Sequence, residues 1–430
     1  MNTNVKTSLP GPKSSKILNL LKKLNGGYFD PYPFVISKNG HGCYFNDIDN
    51  NIFLDFGSQV ASNPLGYSHL ELKEVVNKYS NLHPIKYAGQ DFAVKEHLDL
   101  LEELLSITSR NLNAAFLINS GAEAVENAIK ICMRQKPKAK FGISFEKSFH
   151  GRTLGALSLT HTKEIYKKNF FTIPSKTLPY SEEAIDKLKL LLRNYDSEDV
   201  AFIIIEPIQG EGGYNIASKN LIKDLRKITK ENNIPLISDE VQSGMGRTGK
   251  WWAIQNYNVE PEVISAAKTL QVGATIANRK FFPEPGSISS TWGGGALIDL
   301  ALGKRIIQII KKEKLLNNVN KMGNYLKKRL NEFSENKQIL NVRGLGLMIA
   351  FDLHSRELRN NLIIECLKNG LVLLGCGKKS IRVIPPYIIS QNEINEAIEI
   401  LEKSYNNVFK KGFKHTGKIC NYMYCGEDST

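Results

Sequence analysis

Lys268 closes the run Glu262-Val263-Ile264-Ser265-Ala266-Ala267-Lys268-Thr269, a short apolar segment ending in one cation before Gln271-Val272-Gly273. Upstream, Ile234-Pro235-Leu236-Ile237-Ser238-Asp239-Glu240-Val241 has the same shape and ends in carboxylates. Strand ends are where α/β folds place their chemistry. A strand-end lysine can condense with a carbonyl as a Schiff base, and a strand-end aspartate can hold the proton of a ring nitrogen. Together they suit a cofactor whose ring accepts electrons from a substrate carbanion. A lysine in that place can equally snorkel from the strand into water. The pair alone leaves both readings open.

Further residues bear on the choice. Asn119-Ser120-Gly121-Ala122 precedes a strong helical run from Glu123 to Lys130. Unpaired N–H groups at a helix start, beside small side chains, form a phosphate cradle; the same residues serve as a plain serine N-cap. In Phe149-His150-Gly151-Arg152-Thr153, Phe149 can stack on a flat ring or fill the core. Arg152 carries a fork suited to a carboxylate. Glu206-Pro207-Ile208-Gln209-Gly210-Glu211-Gly212-Gly213 sets two acids on a glycine-rich turn, functional or merely solvated. Beside Asp239, Val241 can press a ring face and Gln242 can hydrogen-bond a ring hydroxyl. Ser290-Thr291-Trp292-Gly293-Gly294-Gly295 is a second candidate anion loop, through hydroxyl and backbone N–H groups.

The elements that must position these residues follow from hydrophobic pattern. Apolar runs at 116–118, 141–143, 202–205, 236–237 and 263–264 alternate with helical stretches. That alternation predicts a largely parallel sheet with crossover helices. Before it, residues 31–56 read as a meander: a strand at 34–37, a Lys38-Asn39-Gly40 turn, and strands at 43–48 and 52–56. After it, Ala296 to Phe333 reads as one long linking helix. Strands at 342–351, 371–374 and 381–384, with helices at 362–368 and 391–409, predict a second, α+β block. Residues beyond about 411 look like a polar tail.

Composition narrows the class. With 430 residues, 42% apolar and 23% charged, the chain is long enough for several domains and has the balance of a globular protein. No apolar stretch approaches the ~20 residues that span a bilayer. The N-terminus lacks the apolar core of a secretory signal, so the cytoplasm is expected. Six scattered cysteines are too sparse for a disulfide scaffold, and reduced thiols are expected. His415, Cys420 and Cys425 fall short of the four ligands and close spacing of a structural zinc site, so no metal is expected. The net charge of +14 is spread over helical faces and the tail without a nucleic-acid-binding signature. It is attributed to solvated faces and attraction of small anions. A non-catalytic, basic nucleic-acid-binding protein is the remote alternative.

The motifs at 120–130, 149–153, 206–213, 239–242, 268 and 290–294 occur in the order in which class III (ω-type) pyridoxal-phosphate aminotransferases carry theirs. The chain resembles that family over nearly its whole length apart from the ends. The resemblance implies a fold-type I α/β enzyme, with a large, mostly parallel-sheet domain and a small α+β domain. Residues 1–60 would contribute to the small domain, 61–295 would form the large one, 296–412 the linking helix and the rest of the small domain, and 413–430 the tail. Within the class, Val60-Ala61-Ser62, Thr269, Gln271-Val272, residues 290–294, 343–348 and 381–386 resemble L-lysine 6-aminotransferases most. The donor implied is L-lysine and the acceptor 2-oxoglutarate. Acetylornithine, ornithine or 4-aminobutyrate transamination, and racemisation, are the alternatives.

Residue by residue, the resemblance makes Lys268 the Schiff-base lysine and proton shuttle, with Asp239 at the ring nitrogen. Ser120, Gly121 and Ala122 would hold the phosphate, joined by Thr291 from a partner subunit, which implies a homodimer. Phe149 and Val241 would sandwich the ring, Gln242 would meet its hydroxyl, and His150 and Glu206 would lie beside it. Arg152 and Arg382 would bind carboxylates, Glu211 would neutralise Arg382 when a donor lacks the second one, and Ala61 and Ser62 would line the substrate site. Gly295 stands where most of the class has Asn, and Ala296 where Pro is frequent.

Overall fold

The computed structural model of the chain describes residues 2–26, 32–80, 86–289, 292–294, 296–336, 339–410, 413, 415, 417–421 and 423. The chain divides into two compact units, Leu70–Asn317 and Met1–His69 with Asn318–Thr430. The N-terminal strands β1 (Ile36–His41), β2 (Tyr44–Asp47) and β3 (Ile52–Asp55) belong to the second of these. The hairpin turn between β1 and β2 lies at Gly42-Cys43, where His41 pairs with Tyr44 and Gly42 has φ +58°. The expected turn at Lys38–Gly40 is instead inside β1. A two-residue hairpin needs positive φ, and Gly42 supplies it without strain.

The unit Leu70–Asn317 is built on β4 (Ala114–Ile118), β5 (Phe141–Phe145), β6 (Ser175–Leu178), β7 (Val200–Ile205), β8 (Leu236–Asp239), β9 (Val263–Ala266) and β10 (Gly273–Ala277). They form one seven-stranded sheet in the order β4-β10-β9-β8-β7-β5-β6. β10 runs antiparallel to both its neighbours, and the other pairings are parallel. The fold is therefore mixed α/β with a parallel-rich large sheet. β7, β8 and β9 are buried at every residue, which is why they read as unbroken apolar runs rather than alternating ones. The crossover helix Lys219–Glu231 shows the complementary pattern: Leu221, Ile222, Leu225, Ile228 and Thr229 are buried along one face. Its start is fixed by Ser218, whose side chain accepts the Leu221 N–H.

The other unit carries two four-stranded sheets. β13 (Leu371–Val372) pairs in parallel with β3, so the two ends of the chain share a sheet. β11 (Leu340–Leu345), β12 (Met348–Asp352), β14 (Leu374–Cys376) and β15 (Ser380–Val383) form the second sheet. The helical pattern read as one linking helix is two, Leu297–Lys312 and Leu315–Asn336. They break at Lys314, whose φ is +52°, a left-handed residue no α-helix passes through. The segment read as a tail places Ile419, 4% exposed, in a cluster with Leu9, Phe45, Phe53, Ile364, Leu367 and Val372. Cys43, Cys132, Cys366 and Cys376 are free and buried, whereas Cys420 is disulfide-bonded, against the expectation of reduced thiols. Among the described residues no helix is long and apolar enough to cross a membrane.

Candidate functional site

In the sheet, Asp239 at the end of β8 lies beside Ser265 of β9, three residues before Lys268. Lys268 opens the turn that follows β9, half-buried and with φ +49°. The chain has left the strand there, so the lysine is carried at the carboxyl edge of the sheet, where α/β folds bind ligands.

The helix Gly121–Gln135 starts at the same edge, after β4. Ser120 is its N-cap: its hydroxyl accepts the Glu123 N–H at 3.3 Å and donates to the Glu123 carboxylate at 3.0 Å. A Cβ on Gly121 would stand 2.7 Å from Val241 Cγ1 and 3.4 Å from Ala267 Cβ. A Cβ on Gly151 would stand 2.8 Å from Ala122 Cβ. The helix start, the Phe149–Thr153 loop, Val241 and the residue before Lys268 therefore pack together with no room for a larger side chain. Glu126 fastens this arrangement from within the helix, accepting from Thr153 Oγ1 at 2.6 Å and from the Ala156 N–H at 3.0 Å.

Asp239 is 4% exposed. Its Oδ1 accepts the Val241 N–H at 3.0 Å, and its Oδ2 lies 2.7 Å from His150 Nδ1. A carboxylate only accepts, so Nδ1 carries the shared proton; His150 Nε2 is buried without a partner. The His150 N–H is in turn held by Thr160 Oγ1 at 3.0 Å. Glu206, also buried, accepts the Phe149 N–H at 2.9 Å and the Gly210 N–H at 2.8 Å. Burial, then the nearby Asp239 charge, push the Glu206 carboxyl well up from its ordinary range. The Glu206 carboxyl thus joins the Phe149 loop to the Gly210 turn. Gln242 Oε1 accepts the Tyr214 hydroxyl at 2.8 Å, and its amide lies 2.9 Å from where a Gly210 Cβ would be.

Phe149 is half-buried and meets Tyr166 edge-on, ring centroids 6.3 Å apart. Arg152 is exposed, its guanidinium stacked 3.9 Å over the other side-chain ring of this corner, that of Tyr166. Such stacking restrains the fork without using its N–H donors. Among the expected residues the structure thus brings together Ser120, Gly121, Ala122, Phe149, His150, Arg152, Glu206, Asp239, Val241, Gln242 and Lys268, all in the unit Leu70–Asn317. Glu211, partly buried, also lies in this unit and within electrostatic reach of Glu206. Thr291, with Ser290 and Gly295, falls outside the described residues.

Ala61, Ser62 and Arg382 belong to the other unit. Arg382 lies in β15 and is 6% exposed. Tyr32 is near enough to feel its charge, although burial dominates and pushes the phenol up to about 12.

Sequence reasoning missed the supports. Glu240, next to Asp239 in sequence, is 1% exposed. It accepts the Ala253 and Ile254 N–H groups at 2.9 and 2.8 Å and the hydroxyls of Ser243 and Ser238 at 2.8 and 3.2 Å. Burial lifts its carboxyl to about 7, with those donors opposing the rise. Adjacent residues at a strand end face opposite ways, and that alternation was the available signal that only one of Asp239 and Glu240 faces the ligand edge. Tyr166 and Tyr214 gave no signal.

A cradle too tight for a Cβ, a buried carboxylate held by a histidine, and a lysine one strand away fit a flat ring with an anionic arm. The chain also resembles known proteins along most of its length. Residues 29–404 match the family model for aminotransferase class-III. The acetylornithine aminotransferase of Archaeoglobus fulgidus is 35% identical over 377 residues, covering 85% of this chain and 94% of that protein. The 4-aminobutyrate aminotransferase of Dictyostelium discoideum is 31% identical over 459 residues, covering 94% and 92%. Among solved structures, a lysine aminotransferase from M. tuberculosis in the internal aldimine form superposes with a TM-score of 0.84. Its identity is 27%, over 91% of this chain and 99% of that one.

Proposed function

Because the chain belongs to the class-III aminotransferases, we propose that it moves the terminal amine of an ω-amino acid to 2-oxoglutarate, with N-acetylornithine as the leading donor. Enzymes of this type use pyridoxal phosphate, and so does this chain. The donor follows the sequence relatives, which carry the acetylornithine name at 35% identity. L-lysine, the donor expected from local motifs, becomes the second reading, supported by likeness to the M. tuberculosis enzyme at 27% identity.

When bound, pyridoxal phosphate supplies an aldehyde that condenses with amines and a ring that draws off the electron pair left on the amine-bearing carbon. The chain's own residues do the rest. The Gly121 and Ala122 N–H groups at the helix start would bind the phosphate, with Ser120 keeping that start in place and Thr291 of a partner subunit adding a hydroxyl in a homodimer. Phe149 and Val241 would orient the ring from its two faces, and Gln242 would meet its hydroxyl. Asp239 would hold the proton of the ring nitrogen, itself kept in position by His150. Lys268 Nζ would take the proton from the donor's amine-bearing carbon and deliver it to the cofactor's aldehyde-derived carbon on the other side of the amine nitrogen. Arg152 and Arg382 would bind carboxylates. Glu211 would neutralise Arg382 when the donor has only one, since an unpaired buried guanidinium is costly. Glu206 would stand beside the ring, and Ala61 and Ser62 would bound the donor.

The observation that best supports this reading is the close packing of Gly121 against Val241 and against Ala267, the residue before Lys268. The test is a donor panel with 2-oxoglutarate: N-acetylornithine, ornithine, 4-aminobutyrate and L-lysine, followed by glutamate formation. Acetylornithine is expected to give the highest kcat/KM. Lysine ahead of it would restore the second reading, and no glutamate from any donor would overturn both. Loss of optical activity in a single amino acid would mark a racemase instead.

A further inference from the structure

Ser58, Gln59, Val60 and Ala61 have φ of +44°, +50°, +59° and +68°. Non-glycine residues visit this region singly, and a β-branched valine there is an outlier. Four in succession make a left-handed turn with its own ladder, Ala61 N–H to Gly57 O at 3.1 Å and Asn63 N–H to Ser58 O at 2.9 Å. The turn stands immediately before Ser62, and it leaves Gln59 and Val60 exposed while Ala61 is buried. Strain of this kind persists only where the surroundings over-determine it.

The surroundings here are specific. Asp55, 1% exposed, accepts the Gly57 and Ser58 N–H groups with Oδ1, both at 2.8 Å, and the Tyr67 hydroxyl with Oδ2 at 2.8 Å. The Tyr67 oxygen in turn accepts from Gln59 Nε2 at 2.8 Å, inside the turn itself. Ser58 Oγ donates to Ile384 O at 2.6 Å, tying the turn to the end of β15 one residue beyond Val383. Tyr67 is anchored from behind, its ring 5.4 Å from that of Phe45 and its backbone paired with Gly42. Burial and the Asp55 charge push its phenol far up, so it remains a donor throughout the working pH range. One buried carboxylate and one phenol thus fasten the entry and the middle of the same strained turn.

We infer that Asp55 and Tyr67 are positioning residues for donor choice, clamping the Ser58–Ala61 turn so that Ser62, with the buried Ala61 behind it, presents a fixed edge to the amine donor. This rests on the proposed place of Ala61 and Ser62 at the donor. A fixed edge discriminates between chains of different length, because a donor that does not fit meets backbone that cannot give way. Neither residue needs to touch the donor or the cofactor.

Tyr67→Phe tests the clamp with the holoenzyme, since it removes one oxygen and keeps the ring against Phe45. Two readouts are taken. Hydrogen exchange at the amides of residues 57–63 is expected to speed up about tenfold, as fastened backbone is released. The spread of kcat/KM across the donor panel is expected to shrink about tenfold, while KM for 2-oxoglutarate and the cofactor absorption band stay as in the wild type. Asp55→Asn, with the same expectations, guards against an effect peculiar to the phenol. Unchanged exchange at 57–63 would overturn the clamp. Faster exchange with an unaltered donor ranking and spread would overturn its role in donor choice. Equal losses for every donor and for 2-oxoglutarate would show a merely structural contact and overturn it as well. Failure of wild-type transamination with every donor would instead strike the functional reading, and the exchange result would still decide the clamp.

Discussion

Asp239 and Glu240 are neighbouring carboxylates with opposite duties, and their surroundings separate them. Asp239 ends β8 and lies 2.7 Å from His150 Nδ1; Glu240 turns inward and closes the 238–254 loop with four hydrogen bonds. For His150→Asn, removal of a buried hydrogen bond to a charged group is expected to cost about 1.5–3 kcal/mol in thermal or denaturant unfolding. Glu240 carries a different signature. Its carboxyl is raised from 4.5 to about 7 by burial, so the protonated form is the one the fold favours. That contribution is fully present below pH 4.5 and is lost as pH rises through about 7. Glu240→Gln removes the titration and turns an amide NH2 toward one backbone N–H and one serine hydroxyl, at a cost of about 1–3 kcal/mol. Unfolding free energy measured from pH 4 to 8 should lose the part of its slope that lies between about 4.5 and 7 in the variant; an unaltered slope would contradict the assignment.

At the scale of elements, the cradle depends on what the helix Gly121–Gln135 lacks. Gly121→Val would place branched carbons where Val241 Cγ1 already stands 2.7 Å from a single Cβ. Either the helix start or Val241 must move, and the N–H groups proposed to bind the phosphate move with it. Cofactor titrated into the apoenzyme is expected to bind at least about tenfold more weakly, with the helix itself retained in circular dichroism. The helix start itself was legible in the sequence, since Ser120 before the 123–130 helical run reads as an N-cap, which it is. The central strands were legible too, since β7 as Val-Ala-Phe-Ile-Ile-Ile admits only a strand buried on both faces. What escaped depends on contacts distant in sequence or on residues of ambiguous type. β6, Ser-Lys-Thr-Leu at the sheet edge, is polar at three of its four residues, and β10 is made mostly of small residues. The helix break at Lys314 has no glycine or proline to announce it. The His150–Asp239 pair spans 89 positions and the Tyr214–Gln242 pair 28. No periodicity joins residues that far apart. The family motifs named His150 and Gln242, but not what holds them.

At the scale of the molecule, the division of labour follows the two units. The residues proposed to hold the cofactor, Thr291 apart, are described in Leu70–Asn317, whereas Asp55, Ala61, Ser62, Tyr67 and Arg382 belong to the unit made from both chain ends. That unit closes on a cluster in which Leu9 from one end and Ile419 from the other meet Phe45, Phe53, Ile364, Leu367 and Val372. Residues 29–404 match the family, so Leu9 and Ile419 both lie outside the shared region and add core to it. Met423 packs on the same cluster, and His415 lies 3.0 Å through Nε2 from Asn361 O. Truncating one buried isoleucine to alanine typically costs about 2–5 kcal/mol. Ile419→Ala should therefore lower the unfolding temperature of this unit by several degrees. Cofactor affinity, set in the other unit, should stay within about twofold, a change of under ~0.5 kcal/mol. Differential scanning calorimetry beside a cofactor titration reads both quantities on one protein. Were Ile419 part of a loose polar tail, the substitution would change neither. Equal losses in unfolding temperature and cofactor affinity would mean instead that the added core supports the whole enzyme, and that the two units do not divide the work as their residues suggest.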